Sequence, residues 1–316
     1  MLCGADWPEV MQSVQHAAHP HIGSGKVANY IPALAQIDPN KFGMAVALGS
    51  GDTHCIGDAD EPFSMQSVSK IFTLALALQI YGDDLWQRVG REPSGSAFNS
   101  IVQLESEKGI PRNPLINAGA IVITNHLVQH YCDEGAGSEV AVAQLLALLR
   151  AQSRDHSIYV DENVARSESE TGSRNRALAH FMAGYNVVQG DIDRILGTYF
   201  RQCAIAISCR QLAQAALFLA FDGCDPVTGK RVLSSRRCRR INAVMMMSGH
   251  YDNSGDFAYR IGLPGKSGVG GGILVVAPGH GTIATWSPGL NDAGTSMVGA
   301  IALEELVRQT GWSVFV

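Results

Sequence analysis

The sequence is short of the features that would announce most classes of partner. Charged side chains are scarce, 17% of the 316 residues, and the formal net charge is −5. A sparsely charged, mildly acidic chain has no electrostatic attraction for nucleic acid or for an anionic membrane surface, so neither is expected as a partner. The one basic cluster is Arg236, Arg237, Arg239 and Arg240. It runs into Ile241 and Val244 and reads as the solvated start of a helix. The seven cysteines (Cys3, Cys55, Cys132, Cys203, Cys209, Cys224 and Cys238) are odd in number and include no CxxC pair. That spacing argues against a disulfide framework and against a zinc ribbon, and it suits free thiols in a reducing compartment. No apolar run approaches the ~18 residues of a membrane span. Residues 1–12 carry Asp6 and Glu9 and lack the basic-then-apolar order of a secretory signal. The expectation is a cytoplasmic, soluble protein.

Two cofactor motifs fail on inspection. Gly265-Lys266-Ser267 resembles the end of a phosphate-binding loop, but the position five residues before Gly265 holds Arg260 instead of glycine. A glycine-rich, β-branched stretch then follows where that loop needs a helix. His126 and His130 stand four apart, as zinc-protease ligands do, but Leu127 occupies the position of the required glutamate. His16, His19 and His21 are crowded near Pro20 with no Cys or carboxylate cluster beside them. Neither a metal nor an organic cofactor is expected.

What the sequence does have is apolar surface: 46% of residues are hydrophobic, enough for a substantial core. Phe42–Leu48 is a strand-like run, Gly49–Asp52 supplies turn residues, and Thr53–Ile56 returns as a second strand. Helix-length apolar patterning covers Ser69–Ile80, Glu139–Ala151, Asn175–Tyr185, Asp191–Cys203 and Arg210–Phe221. Gly272–Ala277 and Thr282–Trp286 are strand-like again, and an amphipathic helix runs from about Ser296 to Gln309. Strands at both ends with helices between them predict an α+β fold. Its antiparallel sheet would be built from both chain ends and covered by helices, with an all-helical lobe inserted. The chain is expected to be a single domain, with a sheet-containing lobe at 1–65 plus 225–316 and a helical lobe at 66–224. The junction between lobes is the expected place for a pocket.

The chemistry-bearing stretch is Phe63-Ser64-Met65-Gln66-Ser67-Val68-Ser69-Lys70. Ser67 and Lys70, three apart, fall on one helix face, with Cβ atoms about 5–6 Å apart. A serine needs a base before it can attack, and a lysine with a lowered pKa can be that base. Taken alone, the tetrapeptide reads better as an ordinary helix cap followed by a surface lysine. About two hundred residues later, Lys266-Ser267-Gly268 precedes the strand-like GGILVVA. Together the two elements resemble the paired motifs of serine acyl-enzymes of the penicillin-binding type. The Ser-Asp-Asn element of penicillin-recognising members is absent.

Longer blocks narrow the resemblance. They are Gly25-Lys26-Val27-Ala28-Asn29-Tyr30-Ile31-Pro32, Asn113 to Ala120 (NPLINAGA), Ser167-Glu168 through Thr171-Gly172 to Arg174-Asn175-Arg176, Tyr199 to Cys203 (YFRQC), Gly249-His250-Tyr251-Asp252, and Lys266 to Gly272 (KSGVGGG). In this order they are similar to the motifs of bacterial-type, serine-dependent glutaminases. Asn29, where aspartate is usual, and His250 and Asn253 are departures. The resemblance implies a β-lactamase-like fold and hydrolysis of L-glutamine to L-glutamate and ammonia. It implies Ser67 as nucleophile, Lys70 as its base, and Tyr30 and Tyr251 as phenols beside them. The backbone N–H groups of Ser67 and Val269 are implied as the oxyanion hole. Asn117, Glu168, Asn175 and Tyr199 are implied to hold the substrate's amino and carboxylate groups, and a homotetramer is implied. Two rivals remain: a penicillin-interacting serine hydrolase, and a glutamine-binding sensor without catalysis.

Overall fold

The computed structural model describes residues 6–94, 101–133 and 139–315. The chain begins with helix α1 (Trp7–Ala18), capped by the Asp6 carboxylate, which accepts from the Glu9 amide. Strands β1 (Gly43–Leu48) and β2 (Thr53–Gly57) form a hairpin, followed by a two-residue strand, β3 (Phe63–Ser64). Helices α2 (Ser69–Tyr81), α3 (Val102–Ser106), α4 (Asn117–Asp133) and α5 (Glu139–Ser153) follow. Next come β4 (Tyr159–Val160), α6 (Glu162–Thr171), α7 (Ser173–Gly184), α8 (Ile192–Cys203), β5 (Ile205–Ile207) and α9 (Cys209–Ala216). The remainder is α10 (Ser235–Ser248), α11 (Ser254–Arg260), β6 (Gly265–Ser267), β7 (Gly272–Ala277), β8 (Gly281–Trp286) and α12 (Met297–Thr310). Among the described residues no helix is long and apolar enough to cross a membrane.

The main sheet has the order β2-β1-β8-β7-β6, antiparallel throughout. The pairing of β1 with β8 joins the two chain ends, as the distribution of strands predicts. Both faces of its central strands are buried, and the alternation sorts their side chains between two cores. Met44, Val46, Ile273, Val275 and Ile283 face α1 and α12, meeting Met11, Val14, Val298 and Leu303. Ala45, Ala47, Leu274, Val276 and Ala284 face the other way, into the larger core with α2 and α9. The predicted strands at Gly272–Ala277 and Thr282–Trp286 match β7 and β8 to within one residue.

The lobe between the terminal strands departs from the all-helical expectation. It contributes β4 and β5, which join β3 in a second sheet of order β3-β5-β4. Strands of two or three residues are too short to establish a period, so patterning cannot reveal them. The expected helix Arg210–Phe221 also ends early, at Ala216, and tightens into a 3₁₀ turn over Leu217–Leu219. The apolar run there carries no stop signal before Asp222-Gly223.

Helix α2 sets the environment of the Ser67–Lys70 motif. From Ser69 to Leu78 every residue is buried. A helix that is covered on all sides is a core helix, so any polar side chain near its start is carried out of water with it.

Candidate active site

Ser67 lies two residues before α2, in a 3₁₀ turn over Gln66–Val68. It therefore sits at the N-terminal end of the buried helix, though not in its first α-turn. Gln66 just before it has φ +49°, a left-handed conformation uncommon outside glycine. Tyr251, which faces the same cavity, has φ +54°. Strained backbone at two residues lining one cavity is the pattern of a functional site.

The Lys266-Ser267-Gly268 motif is more than the approach to a strand. Gly265–Ser267 forms β6, the edge strand, hairpinned to β7. The turn between them presses against the segment that carries Ser67. A Cβ at Gly268 would stand 2.7 Å from the Met65 carbonyl oxygen, and one at Gly270 would stand 2.4 Å from that of Ser64. Only glycine allows that approach, which brings Val269 into the same cavity as Ser67. The NPLINAGA block has a similar logic. Asn113 Oδ1 accepts from the amides of Leu115 and Ile116, turning the chain into α4 and placing Asn117 as its first residue.

Lys70 is only 2% exposed. Its Nζ donates to Asn117 Oδ1 at 2.7 Å and to the Leu115 carbonyl at 3.1 Å. Burial pushes its pKa down to about 8, against the opposing pull of Cys203 and Glu168. Lys266 is fully buried and donates to the carbonyls of Gly249 and Ser267. Its pKa is also depressed, first by burial and then by repulsion from Lys70. Its Nζ lies 4.3 Å from the centre of the Tyr251 ring. The Tyr251 phenol is hydrogen-bonded to Ser67, and burial raises its pKa to about 12. The hydroxyl next to Ser67 is therefore a neutral phenol near neutral pH.

Glu168 extends from α6 into the cavity and is 8% exposed. Burial raises its pKa to about 8, opposed by Lys70 and by a hydrogen bond from Gln66. Its Oε2 is buried with no hydrogen-bond partner among the described residues. Asn117 Nδ2 donates to Asn175 Oδ1 at 3.1 Å, linking the lysine's partner to the start of α7. Tyr199 projects from α8 and is 3% exposed. Tyr30 is 56% exposed and forms the lip of the cavity.

Every residue expected from the sequence except Lys70 lines this one cavity of about 330 Å³. Lys70 reaches it through Asn117 and lies behind its wall. The lining draws on both ends of the chain and on the segment between them, Tyr30, Tyr251 and Val269 from the former and Ser67, Asn117, Glu168, Asn175 and Tyr199 from the latter. Cys203 also lines it, but burial pushes its thiol well up, so it is no thiolate rival to Ser67.

The glutaminase family profile matches residues 25–315. The chain belongs to the glutaminase family. It is accordingly an enzyme, an amidohydrolase. A glutaminase of Rhizobium rhizogenes is 56% identical over 311 residues, covering 98% of this chain and 99% of that one. A thermolabile glutaminase of Rhizobium etli is 57% identical over the same length and coverage. Among solved structures, a probable glutaminase, ybaS, superposes with a TM-score of 0.88 at 35% identity, covering 98% of this chain and 99% of that one. The structure of Mglu in its glutamate form gives 0.89 at 34% identity, covering 99% of this chain and 70% of that one.

Several residues that line the cavity carry no sequence signal of their own. Gln66, Thr171, Gly172 and Arg174 are readable only as members of matching blocks, without an assigned role. Gln66 could have been singled out by its place beside Ser67, and Arg174 by its charge next to Asn175.

Proposed function

We propose that the chain hydrolyses L-glutamine to L-glutamate and ammonia through a γ-glutamyl ester on Ser67, as a single catalytic domain with a β-lactamase-like arrangement of lobes. The observation that carries this reading is Glu168 Oε2, a buried carboxylate oxygen without a partner among the described residues, in the same cavity as a serine backed by a buried lysine. An uncompensated acceptor of this kind is costly unless a donor arrives, and the α-ammonium group of an amino acid is such a donor. Arg174, Asn175, Asn117 and Tyr199 then provide for the α-carboxylate, which leaves the side-chain amide facing Ser67.

In the first step, neutral Lys70 takes the Ser67 proton, with the Tyr251 phenol as relay, and Ser67 Oγ attacks the amide carbon. The amides of Ser67 and Val269 hold the oxyanion; losing one such donor costs on the order of 10²–10³ in rate. The proton held by Lys70 passes to the leaving nitrogen, the C–N bond breaks and ammonia departs. A water molecule, deprotonated by the same lysine, then attacks the ester. Ser67 Oγ leaves, recovers a proton and releases glutamate. Tyr30, at the lip, is the second phenol of the cavity, suited to positioning the amide.

The proposal extends to a homotetramer, supported by the family resemblance and testable by light scattering of the purified chain, and to the cytoplasm, supported by a cysteine pattern that suits a reducing compartment. Incubation with L-glutamine, with ammonia and glutamate measured in parallel, tests the reaction. Equal yields of the two are expected. A labelled penicillin offered to the same preparation should leave Ser67 unmodified. Covalent labelling without ammonia release would favour the penicillin-interacting alternative, and glutamine binding without either would favour a sensor.

A further inference from the structure

One run of hydrogen bonds begins on the main chain and ends in the active-site cavity. The carbonyl of Cys203, the last residue of α8, accepts from Ser64 Oγ at 3.0 Å. Ser64 Oγ in turn accepts from Gln66 Nε2 at 2.9 Å. The Gln66 side chain lines the cavity and is also hydrogen-bonded to Glu168. Ser64 and Gln66 are 7% and 2% exposed, so water does not compete for these groups. Ser64 is held in place as the last residue of β3, paired with Ala206 of β5.

The run has a fixed polarity. A carbonyl only accepts, so the single proton of the Ser64 hydroxyl is committed to Cys203. Ser64 Oγ can then offer Gln66 only a lone pair, which requires the amide to present its nitrogen. Both donors of a carboxamide sit on that nitrogen, so the second N–H is the one available to Glu168. The reversed amide would set its oxygen against Ser64 Oγ with no proton between them, two buried acceptors facing each other.

We propose that Ser64 is a positioning residue for substrate recognition: through Gln66 it holds a donor on Glu168 and so keeps that carboxylate ready for the α-ammonium group of glutamine. The inference rests on the reaction proposed above. A donor to the charged form favours ionisation. Lys70 from α2, Tyr199 and Cys203 from α8, and Tyr30 also act on Glu168 across the cavity, and Arg174 shares its lining. Burial keeps the two phenols and the thiol neutral, and Ser64→Ala replaces none of these groups. With Ser64→Ala the amide is free to turn, Glu168 loses its fixed donor, and its pKa rises.

The test is steady-state ammonia release by the full chain from pH 6 to 10, for wild type, Ser64→Ala, Gln66→Leu and the double variant. Ser64→Ala should raise KM for glutamine about tenfold at pH 7, the scale of one hydrogen bond to a charged group, with kcat within about twofold of wild type. The rise of kcat/KM should move upward by about one pH unit, so the defect is largest at pH 7 and shrinks towards pH 10. Because Ser64 acts through Gln66, adding Ser64→Ala to Gln66→Leu should change kcat/KM by less than about twofold. Wild-type KM and pH profile in Ser64→Ala, a loss confined to kcat, or an undiminished effect in the Gln66→Leu background would each overturn the inference while leaving the proposed reaction standing. A wild type that releases no ammonia would remove the reaction, and this inference with it.

Discussion

If Lys70 is the base, activity must follow its proton. An ordinary lysine titrates near 10.5, and burial on α2 brings Lys70 to about 8. At pH 7 that raises the neutral, proton-accepting fraction from about 0.03% to about 9%, a gain of roughly 300-fold. The sign is fixed: the competent form is the deprotonated one, so kcat rises with pH through about 8 and levels above it. Glu168 titrates in the same window, with a pKa of about 8, but in the proposed site it meets the substrate's ammonium group. Its ionised form is needed for binding, so its titration belongs in kcat/KM of the free enzyme and not in kcat. The assay is ammonia release from pH 6 to 10, with kcat and kcat/KM fitted separately for wild type, Lys70→Arg and Glu168→Gln. Arginine keeps the charge but does not deprotonate in this range, so Lys70→Arg should lose at least 10³-fold in kcat along with the limb near 8. Glu168→Gln should keep the kcat limb. A limb that persists unchanged in Lys70→Arg, or a wild-type limb above 10, would refute the reasoning.

Substrate choice follows from clamping the head group: asparagine, one methylene shorter, should be turned over at least 10²-fold more slowly than glutamine in competition assays, since a misplacement of about 1 Å costs that much. N-acetyl-L-glutamine should be poor, and Glu168→Gln should narrow the gap between it and glutamine, because the acetylated form has no ammonium for the carboxylate. Tyr251→Phe removes the hydroxyl hydrogen-bonded to Ser67 and should lower kcat by about 10²–10⁴ with little change in KM, the range expected for loss of a proton relay. Leu74→Ala in fully buried α2 should cost about 2–5 kcal/mol in stability, read by thermal or denaturant unfolding.

The sequence exposes those parts of the molecule in which local pattern and tertiary role coincide. β7 is a continuous apolar run because both faces of its sheet are buried, and the Ser67–Lys70 offset is visible because a 3₁₀ turn there leads straight into α2. The terminal strands foretell a sheet joining both chain ends because the intervening segments are helix-forming. Features set by long-range contact are silent. β4 and β5 are stabilised by pairing with each other and with β3, and two or three residues carry no period. By local pattern β6 shows only as the approach to the GGILVVA run, and its pairing with β7 makes it a strand. The hydrogen-bond acceptors of Lys70 lie 45 and 47 residues away, at Leu115 and Asn117, and no spacing rule connects them. Nor does any local signal show that the lysine is buried, although the apolar run after it, interrupted only by Thr73, is the cause. The roles of Glu168, Asn175 and Tyr199 come from resemblance. Their convergence on one cavity is a property of the packing of α6, α7 and α8.

The central claim is that Ser67 carries the γ-glutamyl group, and replacing it tests that claim most directly. Ser67→Ala removes a single oxygen at the start of a core helix and leaves Glu168, Asn175 and Tyr199 in place, so glutamine should still bind, measurable by calorimetry. Ammonia release under saturating glutamine should fall by at least 10³-fold, since loss of the attacking group costs far more than loss of one hydrogen bond. A folded Ser67→Ala protein that kept more than about a hundredth of the wild-type rate would place the nucleophile elsewhere and contradict the account.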